Sequence, residues 1–144
     1  MHNILFVCTA NIFRSRFAEE VFNFLAIKEK VPARAFSAGL KVGEYHIRKI
    51  YRPALEQLEK LNIKPKRPND HSLHINEIEL TKYNQLICMD EAEHKPMVLS
   101  NSKLKEFNFE YWDIIDEPKV QSDVSLSICY SKVKELVDGL KNKT

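Results

Sequence analysis

The sequence predicts an α/β fold, a three-layer αβα sandwich with a parallel sheet between helices. Short apolar runs alternate with stretches of helical period along the whole chain. The first run, Asn3-Ile4-Leu5-Phe6-Val7, is apolar from Ile4 onward without alternation, the pattern of a strand covered on both faces. The chain has 144 residues, 44% hydrophobic and 29% charged, which fits one domain over residues 1–144 around a single core.

Each element has its own local reason. After the first strand, Phe17, Ala18, Val21, Phe24 and Leu25 fall at helical spacing. Ser15 is placed to cap that helix, Glu19 and Glu20 fall in its first turns, and Pro32 lies beyond its end. "ARAFSAG" reads as a second strand closed by Gly39. A helix is expected from Ile50 to Leu61, with Leu55, Leu58 and Leu61 on one face. "KPKRPND" reads as a rigid polar loop whose basic cluster is a solvated turn.

A helical piece from Ile75 to Lys82 leads into "NQLICMD", the third strand. A helix from Glu91 to Asn101 follows, then "FEYWDII" as the fourth strand and "DEPKVQSD" as a loop. Leu126, Cys129, Tyr130, Val133, Leu136, Val137 and Leu140 form the apolar stripe of the last helix. In open parallel sheets, ligands bind beyond the carboxyl ends of the strands. Cys8, Ser37, Asp90 and Asp116 fall at or just past predicted strand ends, so one rim is expected to gather them.

Charge narrows the function. Twenty-two basic residues stand against 20 acidic, a net +2, without the footprint of a nucleic-acid or membrane-surface binder. No apolar segment is long enough to span a membrane, and "ILFVC" lacks the length and flanks of a signal peptide. Three cysteines without an export signal read as reduced thiols, so the expected location is cytoplasmic. His46, His74 and His94 show no ligand spacing with one another or with the cysteines, so neither a metal nor another cofactor is expected.

The chemistry concentrates in "CTANIFRS". A turn between a strand and a helix N-terminus is an anion site, because its N–H groups point inward and the helix dipole adds positive charge. Phosphate is the expected occupant, cradled by Thr9, Ala10, Asn11, Ile12, Phe13, Arg14 and Ser15. The same field, with Arg14, is expected to hold Cys8 as a thiolate ready for in-line attack. The Arg14 guanidinium can grip two phosphate oxygens and match charge developing in the transition state. Asn11 at mid-turn suits a left-handed backbone.

"VCTANIFRS" resembles the Cys-x5-Arg-Ser signature of the low-molecular-weight protein tyrosine phosphatases, usually V-C-x-G-N-x-C-R-S. "RFAEEVF", "FSAG", "DHS", "LICMDE" and "DEP" are similar to further family segments in the same order. The resemblance implies sheet order 2-1-3-4 and a cysteinyl-phosphate mechanism. It casts Cys8 as nucleophile, Arg14 as phosphate-binding group and Ser15 as the hydroxyl bonded to the thiolate. Asn11, Ser37 and His71 match a network supporting the loop, and Asp116 matches the acid that protonates the leaving oxygen. The implied substrate is a phosphorylated protein or small aryl phosphate, handled by a monomer or weak dimer.

Several residues depart from that pattern. Glu117 separates Asp116 from Pro118, so Glu117 is an alternative acid. Ala10 replaces a glycine and is costly only if its φ is positive. Phe13 replaces a second cysteine, so oxidised Cys8 is expected to lack a neighbouring thiol that would rescue it as a disulfide. Lys119 and Val120 stand where tyrosines usually follow the acid, which leaves Tyr45 and Phe13 as candidates for an aromatic wall. Ile12 in place of threonine argues against the phosphoarginine-directed branch.

Three other functions compete. An arsenate reductase of the same fold needs a relay pair of cysteines, and Cys88 and Cys129 lack that spacing. A sugar-transport phosphocysteine carrier has no use for Arg14 or Asp116. A phosphate-binding module that no longer turns over is the non-enzyme alternative.

Overall fold

The computed structural model describes residues 1–43, 49–117 and 119–143. Four strands form one parallel sheet in the order β2-β1-β3-β4: β1 (His2–Cys8), β2 (Ala33–Gly39), β3 (Gln85–Cys88) and β4 (Glu110–Tyr111). The implied order is therefore observed.

Four helices complete the fold: α1 (Arg14–Lys28), α2 (Arg52–Lys60), α3 (Glu91–Leu99) and α4 (Ser122–Lys143). The continuous apolar character of β1 has a direct cause. Ile4, Phe6 and Cys8 face a core built with α1, α2 and α4, whereas Leu5 and Val7 face a second cluster containing Val98 of α3. All four residues from Ile4 to Val7 are completely buried. Phe6 packs edge-on to Phe22, with centroids 6.1 Å apart, and tilts against Trp112 at 5.7 Å.

Some elements differ from the sequence expectation. The fourth strand is only Glu110–Tyr111, because beyond it the chain leaves the sheet and Asp113 makes an isolated antiparallel bridge to Asp90. The helical piece from Ile75 to Lys82 is two separate 3-10 turns, Ile75–Glu77 and Leu80–Lys82. The third helix ends at Leu99 and carries Pro96 within it.

Ser15 does not cap α1. The cap position is Phe13, with no side-chain hydrogen bond, and Ser15 lies inside the helix with its hydroxyl engaged by Cys8 and Asn11. Nor do Glu19 and Glu20 serve a solvent-facing first turn; both are 2% exposed.

In the 64–70 loop Lys64 and Lys66 are exposed, as a solvated turn requires, but Arg67 turns inward. Arg67 reaches Glu19 with Nε at 2.7 Å and Nη2 at 2.8 Å, and its guanidinium lies over the Phe36 ring. Arg16, fully buried, donates to the carbonyls of Arg67 and Asp70. Glu20 accepts the backbone N–H groups of Lys66 and Arg67. The basic loop is thus clamped onto α1, directly behind the Cys8–Ser15 turn.

Candidate active site

The turn is shaped by what its carbonyls do. Cys8 O accepts from Leu40 N–H at 2.9 Å and Thr9 O from Lys41 N–H at 2.8 Å. Asn11 O takes the Ser72 hydroxyl at 2.7 Å, Ile12 O takes Tyr51 N–H at 2.6 Å, and Phe13 O takes Phe17 N–H at 2.9 Å. Among the described residues, the N–H groups of residues 9–13 have no protein acceptor. Carbonyls tied outward and free N–H groups between them make a concave donor surface, the chemistry of a phosphate cradle.

Asn11 has φ 57°, as its mid-turn position suggested, and Ala10 is not among the positive-φ residues. Alanine therefore carries no left-handed strain here. The glycine that matters lies across the sheet. A Cβ on Gly39 would stand 2.8 Å from Thr9 O and 3.0 Å from Asn11 N, so the strand end and the turn approach as closely as a bare backbone allows.

A polar chain runs behind the turn. Ser37 Oγ donates to Glu19 at 2.6 Å and accepts from Asn11 Nδ2 at 3.0 Å. Asn11 Nδ2 also donates to Ser15 Oγ at 2.9 Å, while its Oδ1 accepts Leu73 N–H and fixes the amide's orientation. Ser15 Oγ also shares a hydrogen bond of 2.9 Å with Cys8 Sγ.

His71 takes no part in this arrangement. It lies exposed, and the neighbouring Ser72 and Leu73 supply the contacts to Asn11. The cation that secures the chain's far end is Arg67. Burial works against its charge, but Glu19 and Asp70 hold its pKa above the ordinary value. Arg67→Met leaves the Glu19 carboxylate, whose side chain is 2% exposed, without its cation. The expected result is a loss of about 3 kcal/mol of stability, read from the urea midpoint at unchanged slope.

Arg14 is 1% exposed and held at both ends. Its Nη1 donates to Ile114 O at 2.8 Å and its Nη2 to Glu93 at 2.9 Å, with Asp116 Oδ2 at 3.4 Å. Its Nε is buried without a partner among the described residues. That atom, beside the free N–H groups, is the donor left for an anion.

Cys8 and Arg14 open into a cavity of about 240 Å³. Ile12, Phe13 and Tyr51 supply its apolar lining, and Glu93, Asp116 and Glu117 its acidic lining. Asp116 and Glu117 both line the cavity, and Asp116 contacts Arg14. Phe13 is 5% exposed and packed edge-on to Tyr51, so Tyr51 is the more open aromatic face. Tyr45 and Pro118 lie outside the described residues, as does His46. Asp90 borders an adjoining hollow rather than the cavity over Cys8, and Ser37 sits behind the turn.

The other two cysteines do not line the cavity. Cys88 and Cys129 are completely buried; burial lifts the Cys88 thiol well above its usual range and pushes Cys129 up to about 12.

Sequence reasoning missed Glu93, Arg67 and Tyr51 as parts of this region. For Arg67 the available signal was Glu19 and Glu20, acidic residues on a helix whose buried face they share. For Glu93 there was none, since an acid in the first turn of α3 is ordinary helix chemistry.

The family model described as "Low molecular weight phosphotyrosine protein phosphatase" matches residues 3–143. No curated protein matches the chain significantly. Among solved structures, the low molecular weight protein tyrosine phosphatase from T. tengcongensis aligns with TM-score 0.75 and 22% identity, covering 100% of both chains. The YwlE arginine phosphatase, a cysteine-to-serine mutant with a phosphorylated active-site serine, aligns at 0.78 with 20% identity, covering 96% of this chain and 95% of its own. An arsenate reductase from Archaeoglobus fulgidus aligns at 0.69 with 22% identity, covering 94% of this chain and 98% of its own. At these identities the structural likeness establishes the fold, which hosts more than one chemistry.

Proposed function

The chain belongs to the low molecular weight phosphotyrosine protein phosphatase family, and from that premise we propose that it hydrolyses phosphotyrosine-type phosphomonoesters through a cysteinyl-phosphate intermediate. The observation that carries the proposal is that Cys8, its Sγ hydrogen-bonded to Ser15, lines one cavity with turn residues whose N–H groups, and with Arg14 whose Nε, have no partner among the described residues.

The steps follow from those groups. The Cys8 thiolate attacks phosphorus, and the P–O bond to the leaving group breaks. Asp116 gives its proton to the departing oxygen, so no free phenoxide is expelled. The cradle N–H groups and Arg14 stabilise the equatorial oxygens throughout. Asp116 then takes a proton from water, whose oxygen attacks phosphorus as the S–P bond breaks. The Ser15 hydroxyl receives the returning thiolate charge. Tyr51 and Ile12 offer an apolar flank for an aryl group. The substrate is a phosphorylated protein or small aryl phosphate, and the enzyme acts in the cytoplasm as a monomer or weak dimer.

Arsenate reduction fits less well. A relay thiol must reach the oxidised nucleophile as a thiolate, whereas Cys88 and Cys129 are buried and held protonated. The wild-type protein is therefore expected to release phosphate from p-nitrophenyl phosphate and a phosphotyrosine peptide, and to consume no thioredoxin-type reductant with arsenate. Absence of phosphate release from both substrates, or arsenate-dependent oxidation of the reductant, overturns the proposal.

A further inference from the structure

One carboxylate in the site has no role in the chemistry above. Glu93, in the first turn of α3, gathers three polar groups around a single oxygen. Its Oε2 accepts the Thr9 hydroxyl and Arg14 Nη2 at 2.9 Å, and lies 3.2 Å from His94 Nε2. His94 is completely buried, and its Nδ1 accepts the Asp90 N–H at 3.1 Å, so the ring proton sits on Nε2 and faces Thr9 and Glu93. Glu93 is therefore held on a rigid mount and ties both ends of the turn to one point, Thr9 at its entry and Arg14 at its exit. Burial alone would raise its pKa, but the bonds from His94, Arg14 and Thr9 keep the carboxyl far below the usual carboxylate range. The charge is permanent at working pH.

A fixed negative charge on the arginine that grips phosphate has a consequence for binding. Of the five N–H donors of Arg14, one on Nη1 is taken by Ile114 O and one on Nη2 by Glu93, Asp116 Oδ2 lies 3.4 Å from Nη2, and Nε is buried without a partner among the described residues. An incoming phosphate shares the guanidinium with a carboxylate that does not leave. Resting on the phosphatase reading, we propose that Glu93 is a specificity-determining and positioning residue, a resident counter-charge that orients Arg14 and weakens the cradle's grip on phosphate. Free phosphate then leaves more readily, and substrate must add binding from its organic part against Tyr51 and Ile12.

The test compares wild type, Glu93→Gln and Glu93→Asp for binding of inorganic phosphate by calorimetry and for kcat and KM on p-nitrophenyl phosphate. Glu93→Gln keeps the shape and an acceptor oxygen but removes the charge. It is expected to bind phosphate about five- to twentyfold more tightly, the scale of one partly screened unit charge within a few ångströms. KM should fall in parallel, and the split between KM and kcat reads how far Glu93 acts on binding through Arg14. Glu93→Asp keeps the charge and is expected to hold phosphate affinity within about twofold of wild type. Unchanged or weaker phosphate binding by Glu93→Gln, in an enzyme whose wild type binds and turns over, overturns the role of Glu93 alone. Failure of wild type to bind phosphate at all overturns the phosphatase reading and this inference together.

Discussion

Replacing Cys8 with serine is expected to reduce turnover of an aryl phosphate by ~10⁴-fold or more while leaving phosphate binding in place. The two halves of that result come from different atoms. Turnover needs a sulfur anion to attack phosphorus and then to leave, and a serine alkoxide is far harder to form at neutral pH. Binding needs the N–H groups of residues 9–13 and the Nε of Arg14, none of which the substitution touches. Ser15, which shares a 2.9 Å hydrogen bond with Cys8 Sγ, can bond equally to a serine oxygen, so the turn is expected to keep its form. Steady-state assays on p-nitrophenyl phosphate, with calorimetry of inorganic phosphate, read both halves. Residual turnover within tenfold of wild type shows that Cys8 is not the nucleophile. Loss of phosphate binding with intact folding shows that the sulfur, rather than the cradle, organises the anion.

The turn could be read in the sequence because its parts are contiguous. Cys8, Asn11, Arg14 and Ser15 lie within one strand-to-helix connection, so one short stretch carried both the anion-site reading and the family resemblance that assigned each residue a role. The left-handed residue was placed at Asn11, and the structure puts it there. The sheet was legible for a similar reason, since burial on both faces writes an unbroken apolar run into β1.

What stayed hidden depends on long-range partners. Thr9 meets a carboxylate 84 positions away and Arg67 meets one 48 positions away, and no local pattern encodes either encounter. Ser15 shows how a local rule fails. Its residue type and position satisfy the preference for a helix cap, but the thiol and Asn11 claim the same hydroxyl, and the helix starts without a side-chain cap. The outcome suits an anion site, because an uncapped helix start leaves its donors for the ligand. His71 fails in the opposite way. A family position occupied by the expected residue type lies on the surface, and Arg67 secures Glu19 instead.

The identity of the acid should appear as a dependence on the leaving group. Asp116 and Glu117 both line the cavity, yet their settings differ. Asp116 Oδ2 lies 3.4 Å from Arg14 Nη2, and its Oδ1 accepts the Glu117 N–H at 2.8 Å, so its carboxyl is already directed at Arg14. Glu117 is exposed, with no comparable contact to Arg14 among the described residues. A proton donor matters most when the departing oxyanion is basic and little when it is stable. Asp116→Asn is therefore expected to cut kcat/KM for phenyl phosphate by about 10²- to 10³-fold, and much less for p-nitrophenyl phosphate. Across a series of substituted phenyl phosphates, its rate should depend steeply on leaving-group basicity where wild type is nearly flat. Glu117→Gln should keep the wild-type slope with rates within about threefold. A steep slope in Glu117→Gln and a flat one in Asp116→Asn would assign the proton to Glu117. Because the substitutions are isosteric and both residues lie at the surface of the site, neither is expected to shift thermal stability enough to confuse the reading.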